Sequence, residues 1–457
     1  MLTELSLVNF KAWKDTKSIR LAPITVFFGS NSAGKTSLLQ FLLMLKQTAE
    51  SPDRRRVLHP GDRNTPVELG TYRDLVFNHD VLQGIRFSLE WSLPEILAVV
   101  DLVNNRNYAG DKMRFSADIA PVAKGAQQSV RLFQYELTGS QDQLDVKLAV
   151  DEKGRYDLRS ESYSLVRNQG RVWPLPAPVR FYGFPDEVGA YYQNARFTSD
   201  LALALEKQLQ RLQYLGPLRV YPERSYIWSG EVPEHVGWRG ERAVEAMLAA
   251  ASRSISPAYR KRARSFQEVI ARWLQELGLL ESFEVRPIAE HRKEYEVWVR
   301  THGAKETVNL PDVGFGVSQV LPVVVQCFYA SPHTTLILEQ PEIHLHPRVQ
   351  AALADLFIEA AQSREDGSNR SIQLIVESHS EHFLRRLQTR VAQEAIKPTD
   401  VALYFCKAGE EGAILQPLEV NLYGEIANWP DNFFGDEMGE FAARMDAAAR
   451  RESASHR

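Results

Sequence analysis

The residues best placed to do chemistry are Lys35 and Thr36, near the end of the stretch Gly29-Ser30-Asn31-Ser32-Ala33-Gly34-Lys35-Thr36-Ser37. Its spacing is G-x-x-x-x-G-K-[ST]. Backbone N–H groups of such a loop, together with the N-terminus of the next helix, cradle the β- and γ-phosphates of a nucleotide. Gly29 and Gly34 let the backbone take positive φ and approach the phosphates, Lys35 neutralises them, and Thr36 offers a hydroxyl to Mg²⁺.

Far downstream, the apolar run Thr335-Leu336-Ile337-Leu338 ends in Glu339-Gln340-Pro341-Glu342. A second, Ile372-Gln373-Leu374-Ile375-Val376, ends in Glu377-Ser378-His379-Ser380. An acid at the carboxyl end of a parallel strand stands where ligands bind in α/β sheets, so Glu339 is expected to hold the hydration shell of the Mg²⁺. His379 is expected to hydrogen-bond a γ-phosphate and sense its loss. An uncharged amide is a very poor base, so Gln340 is expected to position the attacking water. Glu342, past the Pro341 turn, is then the nearest candidate for the general base, and hydrolysis is expected to be slow.

These groups need a parallel sheet to bring them together. The text from Asp312 onward alternates as helix 315–329, strand 334–338, helix 347–363, strand 372–376, helix 380–395 and strand 401–406, the βαβ signature. Strand text over 2–9 and up to Leu21 precedes the phosphate-loop strand Ile24–Phe28, and a helix follows over Lys35–Lys46. Between Val67 and Tyr182 the pattern is period-two and aromatic-rich, which predicts an antiparallel sheet. Helices are expected over 198–213 and 240–277. Tyr214–Arg219 and Val236–Glu241, rich in Gly, Pro, Arg and aromatics, read as a shaped, ordered loop, and 283–287 with 294–300 as a hairpin. The expected organisation is a discontinuous core from 1–50 and 282–425, a β-rich insertion over 51–190, a helical insertion with the ordered loop over 191–281, and a helical tail over 426–457.

At 457 residues, 44% of them hydrophobic, the chain is long enough for more than one lobe. A net charge of −4 makes the whole molecule no trap for nucleic acid, so any DNA contact must use a local patch: Arg54-Arg55-Arg56 with Arg63, or Arg260-Lys261-Arg262 with Arg264. Cys327 and Cys406 are the only cysteines, too few for a disulfide scaffold or a cysteine-rich zinc site, and they suit a reducing cytosol. The longest apolar run, Val320 to Ala330, is broken by Pro322 and Gln326, so no membrane span is expected and the chain reads as cytoplasmic.

Four pieces in order carry a family resemblance: Val8-Asn9-Phe10-Lys11, the loop Gly29–Thr36, Asp312-Val313-Gly314-Phe315-Gly316-Val317-Ser318-Gln319, and the acid strand with His344-Leu345-His346-Pro347 followed by Ser378-His379-Ser380. In these the chain resembles the ABC-type P-loop ATPases of the RecF/SMC/OLD branch, over roughly 1–50 and 282–407. Tyr214–Arg219 and Val236–Glu241 resemble a segment common in stand-alone members. The resemblance implies an α/β fold: an ABC-ATPase head with an N-terminal antiparallel β lobe, a β-rich and helical insertion, and a parallel-sheet core binding ATP and Mg²⁺. It implies a homo-oligomer, at least a dimer, closed head to tail on ATP, in which Asp312, Gly314 and Gly316 of one copy meet the γ-phosphate held by the other.

By the same resemblance Glu339 replaces the usual aspartate as the Mg²⁺ acid and His379 is the switch histidine. Asp312 stands where a serine is usual, and Gln340 where a catalytic glutamate is usual. After residue 407 no room is expected for the nuclease domain that OLD-type members append. The implied role is an ATP-driven switch for a separately encoded effector such as a nuclease or toxin, in bacterial antiphage defence or DNA maintenance.

Three rival readings have their own predictions. A nucleic-acid-associated clamp would use ATP only to close, and DNA would stimulate its hydrolysis. A P-loop phosphotransferase would be compact, with a substrate lid. A metal site would gather His344, His346, His379 and His382.

Overall fold

The computed structural model describes all residues except 122–127, 141, 171–172, 259, 431–432, 434–441, 449–450 and 452–457. Strands β1 (Leu2–Phe10) and β2 (Trp13–Arg20) form a hairpin, and β3 (Ile24–Gly29) runs through the glycine loop into helix α1 (Lys35–Glu50). The long strands β4 (Ile85–Asp101), β5 (Arg106–Pro121), β6 (Gln128–Thr138), β7 (Gln143–Val150) and β8 (Tyr156–Arg159) follow. They join the first hairpin in one seven-stranded antiparallel sheet of order β2-β1-β4-β5-β6-β7-β8. Along β4, Ile85, Phe87, Leu89 and Trp91 are buried while Arg86 is exposed, the alternation that a sheet with one covered face requires.

Helix α2 (Phe197–Gln210) leads into the short strand β9 (Leu212–Leu215). Then come α3 (Phe315–Tyr329), β10 (Thr335–Glu339), α4 (Pro347–Gln362), β11 (Gln373–Glu377), α5 (Glu381–Ala392), β12 (Val401–Gly409) and β13 (Gly412–Leu418). The second large sheet has the order β13-β12-β3-β11-β10-β9, parallel throughout except for the antiparallel β12–β13 pair. Both of its faces are covered, so its strands are apolar on both sides. Ile24, Val26 and Phe28 enter one core with α3, α4 and α5, and Phe27 enters the other with α1, α2 and the antiparallel sheet. Gln373 joins the two sheets: its side chain accepts from the Leu2 N–H at 3.0 Å and donates to the Leu2 carbonyl at 2.7 Å.

Several expectations shift. A boundary at residue 50 would cut one sheet in two, because β1 pairs with β4. The 191–281 stretch is not only an insertion, since β9 is the edge strand of the parallel sheet beside β10. No single helix spans 240–277. Helices Ala243–Ala249 and Phe266–Glu276 are separated by short strands at Ser254–Ser256 and Arg264–Ser265, the first of which also pairs with Arg364–Glu365. Of the tail over 426–457, residues 442–448 are helical and much of the remainder lies outside the described residues. Among the described residues no helix is long and apolar enough to cross a membrane.

Candidate functional site

The phosphate loop gets its shape from its neighbours. Gly29 has φ 139°, and a Cβ there would lie 2.0 Å from the Cys406 carbonyl oxygen on β12, so the approach of the two strands admits only glycine. Gly34, at φ 88°, packs against the buried Trp13 indole, whose Nε1 donates to the Gly34 carbonyl at 3.0 Å. Ser30, Asn31 and Ser32 are exposed and Ala33 is buried, which leaves the loop backbone open on its outer side. Lys35 is 3% exposed, and its Nζ donates to the carbonyls of Gly29 at 3.0 Å and Ser30 at 2.7 Å. Burial lowers its pKa, against the charges of Glu377 and Glu342. The ammonium is folded back on the loop that would receive a phosphate.

Glu339 and Glu377 end adjacent parallel strands in register and are both buried. The Thr36 hydroxyl lies 2.8 Å and 3.0 Å from the two oxygens of Glu377. Sequence reasoning paired Thr36 with Glu339; the structure puts Glu377 in that contact, because β11 and not β10 is next to β3. Burial, with the neighbouring Glu377 charge, pushes Glu339 up to about 7 against a hydrogen bond with Tyr214. Burial also raises Glu377, opposed by Thr36, Lys35 and the Gln340 side chain. A hydroxyl and two carboxylates are hard oxygen donors, and two buried acids in register, of which Glu377 raises the pKa of Glu339, are what a divalent cation would relieve, so the donor set fits Mg²⁺.

Glu342 is also buried, and its Oε1 accepts from the His379 backbone N–H at 2.6 Å while Oε2 has no hydrogen-bond partner. Burial raises its pKa, and the His379 amide, the Ser378 hydroxyl and the Arg219 charge oppose the rise. Burial and the Lys35 charge lower the His379 pKa, which favours a neutral ring. Gln340 sits at φ 43° with its N–H on the Glu377 carbonyl at 2.9 Å. Lys35, Thr36, Glu339, Gln340, Glu342 and His379 thus gather at the carboxyl ends of β3, β10 and β11.

The Asp312–Gly316 segment is held elsewhere. Asp312 is exposed and takes both nitrogens of Arg224, at 2.6 Å and 3.1 Å. Gly314 is exposed, with nothing within 4 Å of where a Cβ would lie. His344, His346 and His382 are exposed, and the His346 ring caps α4 through the Arg348 N–H. Among the described residues no group of three or more metal-ligating side chains converges.

Sequence reasoning gave no site role to Glu377, Tyr214 or Arg219. Only Glu377 carried a signal, as an acid closing the second apolar strand. Tyr214, expected in the loop, lies instead on β9, and Arg219 lies in the loop that follows, which is ordered as expected: the Gly216 N–H donates to the Trp238 carbonyl at 2.8 Å and the Val220 N–H to that of Arg239 at 2.9 Å.

Three family models match the chain. One described as "AAA ATPase domain" takes in residues 1–115, one described as "AAA domain, putative AbiEii toxin, Type IV TA system" residues 194–385, and one described as a protein of unknown function, DUF3696, residues 396–443. No curated protein matches by sequence. Similar solved structures include an SMC head domain from Thermotoga maritima, 11% identical, covering 92% of this chain and 99% of that one at a TM-score of 0.41. An SMC head bound to the C-winged helix domain of ScpA is 9% identical, covering 92% and 98% at 0.43. An SMC head with an extended coiled coil, bound to the C-terminal domain of ScpA derived from Pyrococcus furiosus, is 9% identical, covering 92% and 96% at 0.40. The first AAA model covers the phosphate loop and the second the acid and histidine strands, the parts that meet on one sheet, and over these two stretches the chain is similar to AAA ATPase domains.

Proposed function

We propose that the chain is an ATP-driven switch. ATP lies with its phosphates over the 29–37 loop, Lys35 turns from the Gly29 and Ser30 carbonyls to the phosphates, and Thr36, Glu377 and Glu339 hold Mg²⁺, which supplies charge neutralisation when bound. Glu342 accepts the proton of the attacking water and the His379 ring donates to the γ-phosphate. Two copies close head to tail, with Gly314 and Gly316 of one facing the γ-phosphate of the other. The observation that carries this reading is the open Gly314, exposed at the N-terminus of α3 with its neighbour Asp312 turned to Arg224. Such a helix end suits an anion supplied by another copy.

The test is native mass spectrometry or light scattering with a non-hydrolysable ATP analogue, on the parent and on Gly316→Arg. The parent should gain mass with the analogue and the variant should not. A parent whose assembly ignores nucleotide refutes the head-to-tail model. The AbiEii toxin named in one family description supports a defence role with an effector of the nuclease or toxin class, which a pull-down with ATP against ADP would identify.

One observation favours DNA as a further partner. Arg55, Arg56 and Arg73, all exposed, line a cleft of about 880 Å³ with Thr71 and Gln128. Hydrolysis stimulated by duplex DNA, and losing that stimulation as salt rises, would support the contact.

A further inference from the structure

The Asp312 carboxylate, two residues before the exposed Gly314, lies in the fork of Arg224: Nη2 donates to Oδ1 at 2.6 Å and Nη1 to Oδ2 at 3.1 Å. Two parallel N–H···O bonds are the geometry by which a guanidinium takes a carboxylate or a phosphate. Asp312 thus marks a place, at the rim of the Gly314 loop, where a doubly hydrogen-bonded oxyanion fits. Arg253 shows what a structural fork looks like in the same chain. It grips Glu365 at 2.7 Å and 2.8 Å, is partly buried, and also donates to the Tyr329 carbonyl at 2.7 Å. Arg224 is exposed, and among the described residues its side chain bonds only Asp312.

The backbone keeps the fork at that place without the Asp312 side chain. Tyr221 Oη donates to the Pro311 carbonyl at 3.0 Å, and Nδ2 of the buried Asn309 donates to the Arg224 carbonyl at 3.2 Å. Within the turn the Glu223 N–H donates to Tyr226 Oη at 2.9 Å. The root of Arg224 is therefore clipped to the segment before Gly314, while its head is held by one solvent-screened ion pair, which a stronger anion can displace.

We propose that Arg224 is a phosphate-binding residue acting across the assembly: its fork passes from Asp312 to the γ-phosphate of the ATP held by the other copy. The inference rests on the reading that two copies close head to tail at Gly314. A terminal phosphate carries more negative charge than a carboxylate and competes for the same pair of donors. ADP lacks that group, so only ATP draws the fork across.

Sedimentation velocity with the non-hydrolysable ATP analogue, and with ADP, compares the parent, Asp312→Ser, Arg224→Gln and the Arg224→Gln/Asp312→Ser pair. Both side chains are exposed, so the fold should stand in all four. With the analogue, Arg224→Gln should weaken self-association at least about tenfold, and the pair should stay at least about tenfold weaker than Asp312→Ser alone. With ADP the four should behave alike. A pair that associates as well as Asp312→Ser would mean that Arg224 only neutralises Asp312, and equal losses with ADP that it only shapes the loop; either overturns the inference. An analogue-driven parent matched by Arg224→Gln overturns it alone. A parent that ignores nucleotide overturns the head-to-tail reading and the inference together.

Discussion

The Thr36 hydroxyl sits 2.8 Å from one oxygen of Glu377, and Glu377 is level with Glu339 across the β10–β11 ladder. The hydroxyl at the start of α1 and the acid at the end of β11 therefore form the inner half of the cation site, with Glu339 one strand further out. Glu377→Gln should raise the Mg²⁺ concentration needed for half-maximal ATP binding by about tenfold or more, and Glu339→Gln by less. A Mg²⁺ titration of fluorescent-nucleotide binding reads both. A larger effect from Glu339→Gln would put Thr36's partner back where the sequence pattern places it.

Glu339 also gives a pH dependence whose sign is fixed. Unfolded, its carboxyl releases a proton near 4.5, whereas folded it keeps the proton to about 7. Between those values the folded state binds more protons, so its contribution to stability falls as pH rises from 4.5 to 7 and stays low above, a loss of about 3 kcal/mol. Without Mg²⁺, Glu339→Gln should lack that part of the slope and be the more stable protein at pH 8. Urea midpoints that run parallel for parent and variant from pH 5 to 8 would show that Glu339 titrates normally.

Lys35→Ala should abolish ATP binding and leave the fold standing. The lost ammonium holds only the Gly29 and Ser30 carbonyls, and Ser30 is exposed, so water replaces it at a cost of about 1 kcal/mol. Nucleotide affinity equal to the parent's would remove the loop from the mechanism.

Where burial acts on both faces of a strand, the sequence is readable. β3, β10, β11 and β12 stand out as apolar runs, and the helix over 315–329 matches the expected span residue for residue. Strand order is not local information. Nothing in Glu377 says that β11 lies between β3 and β10, so its role emerges only from the sheet. The stretch 240–277 misleads for a different reason: the alanine-rich Ala243–Ala251 run has helical propensity, but the strand Ser254–Ser256 is decided by pairing with Arg364–Glu365, far away in the chain. Arg219 and Asp312 are long-range in the same sense, their contacts with Glu339 and Arg224 spanning 120 and 88 residues of sequence.

Asp312→Ser should tighten ATP-driven self-association. The Asp312–Arg224 pair is exposed and solvent-screened, so losing it leaves stability nearly unchanged while removing a negative charge from the loop that would face a phosphate. Sedimentation velocity with the ATP analogue measures the shift. Weaker association than the parent's would mean that Asp312, held by Arg224, orders the loop for assembly.

The last prediction concerns the pair Gln340 and Glu342. A carboxylate is a usable base and an amide oxygen is not, and a general base is worth about 10²–10⁴-fold, so Glu342→Gln should cut turnover at least about tenfold. The sequence alone suggests that Gln340→Glu would speed hydrolysis by supplying a missing carboxylate. The structure argues otherwise, because the Gln340 side chain hydrogen-bonds Glu377, and Glu339 lies in register beside it. A third carboxylate there would repel both and raise its own pKa, leaving it protonated and a poor base. Gln340→Glu should therefore be no faster than the parent, and should need more Mg²⁺ for the same ATP affinity. Single-turnover hydrolysis of both variants decides: Glu342→Gln at the parent rate removes Glu342 as the base, and a faster Gln340→Glu shows that the cation offsets the repulsion and that the carboxylate was what the site lacked.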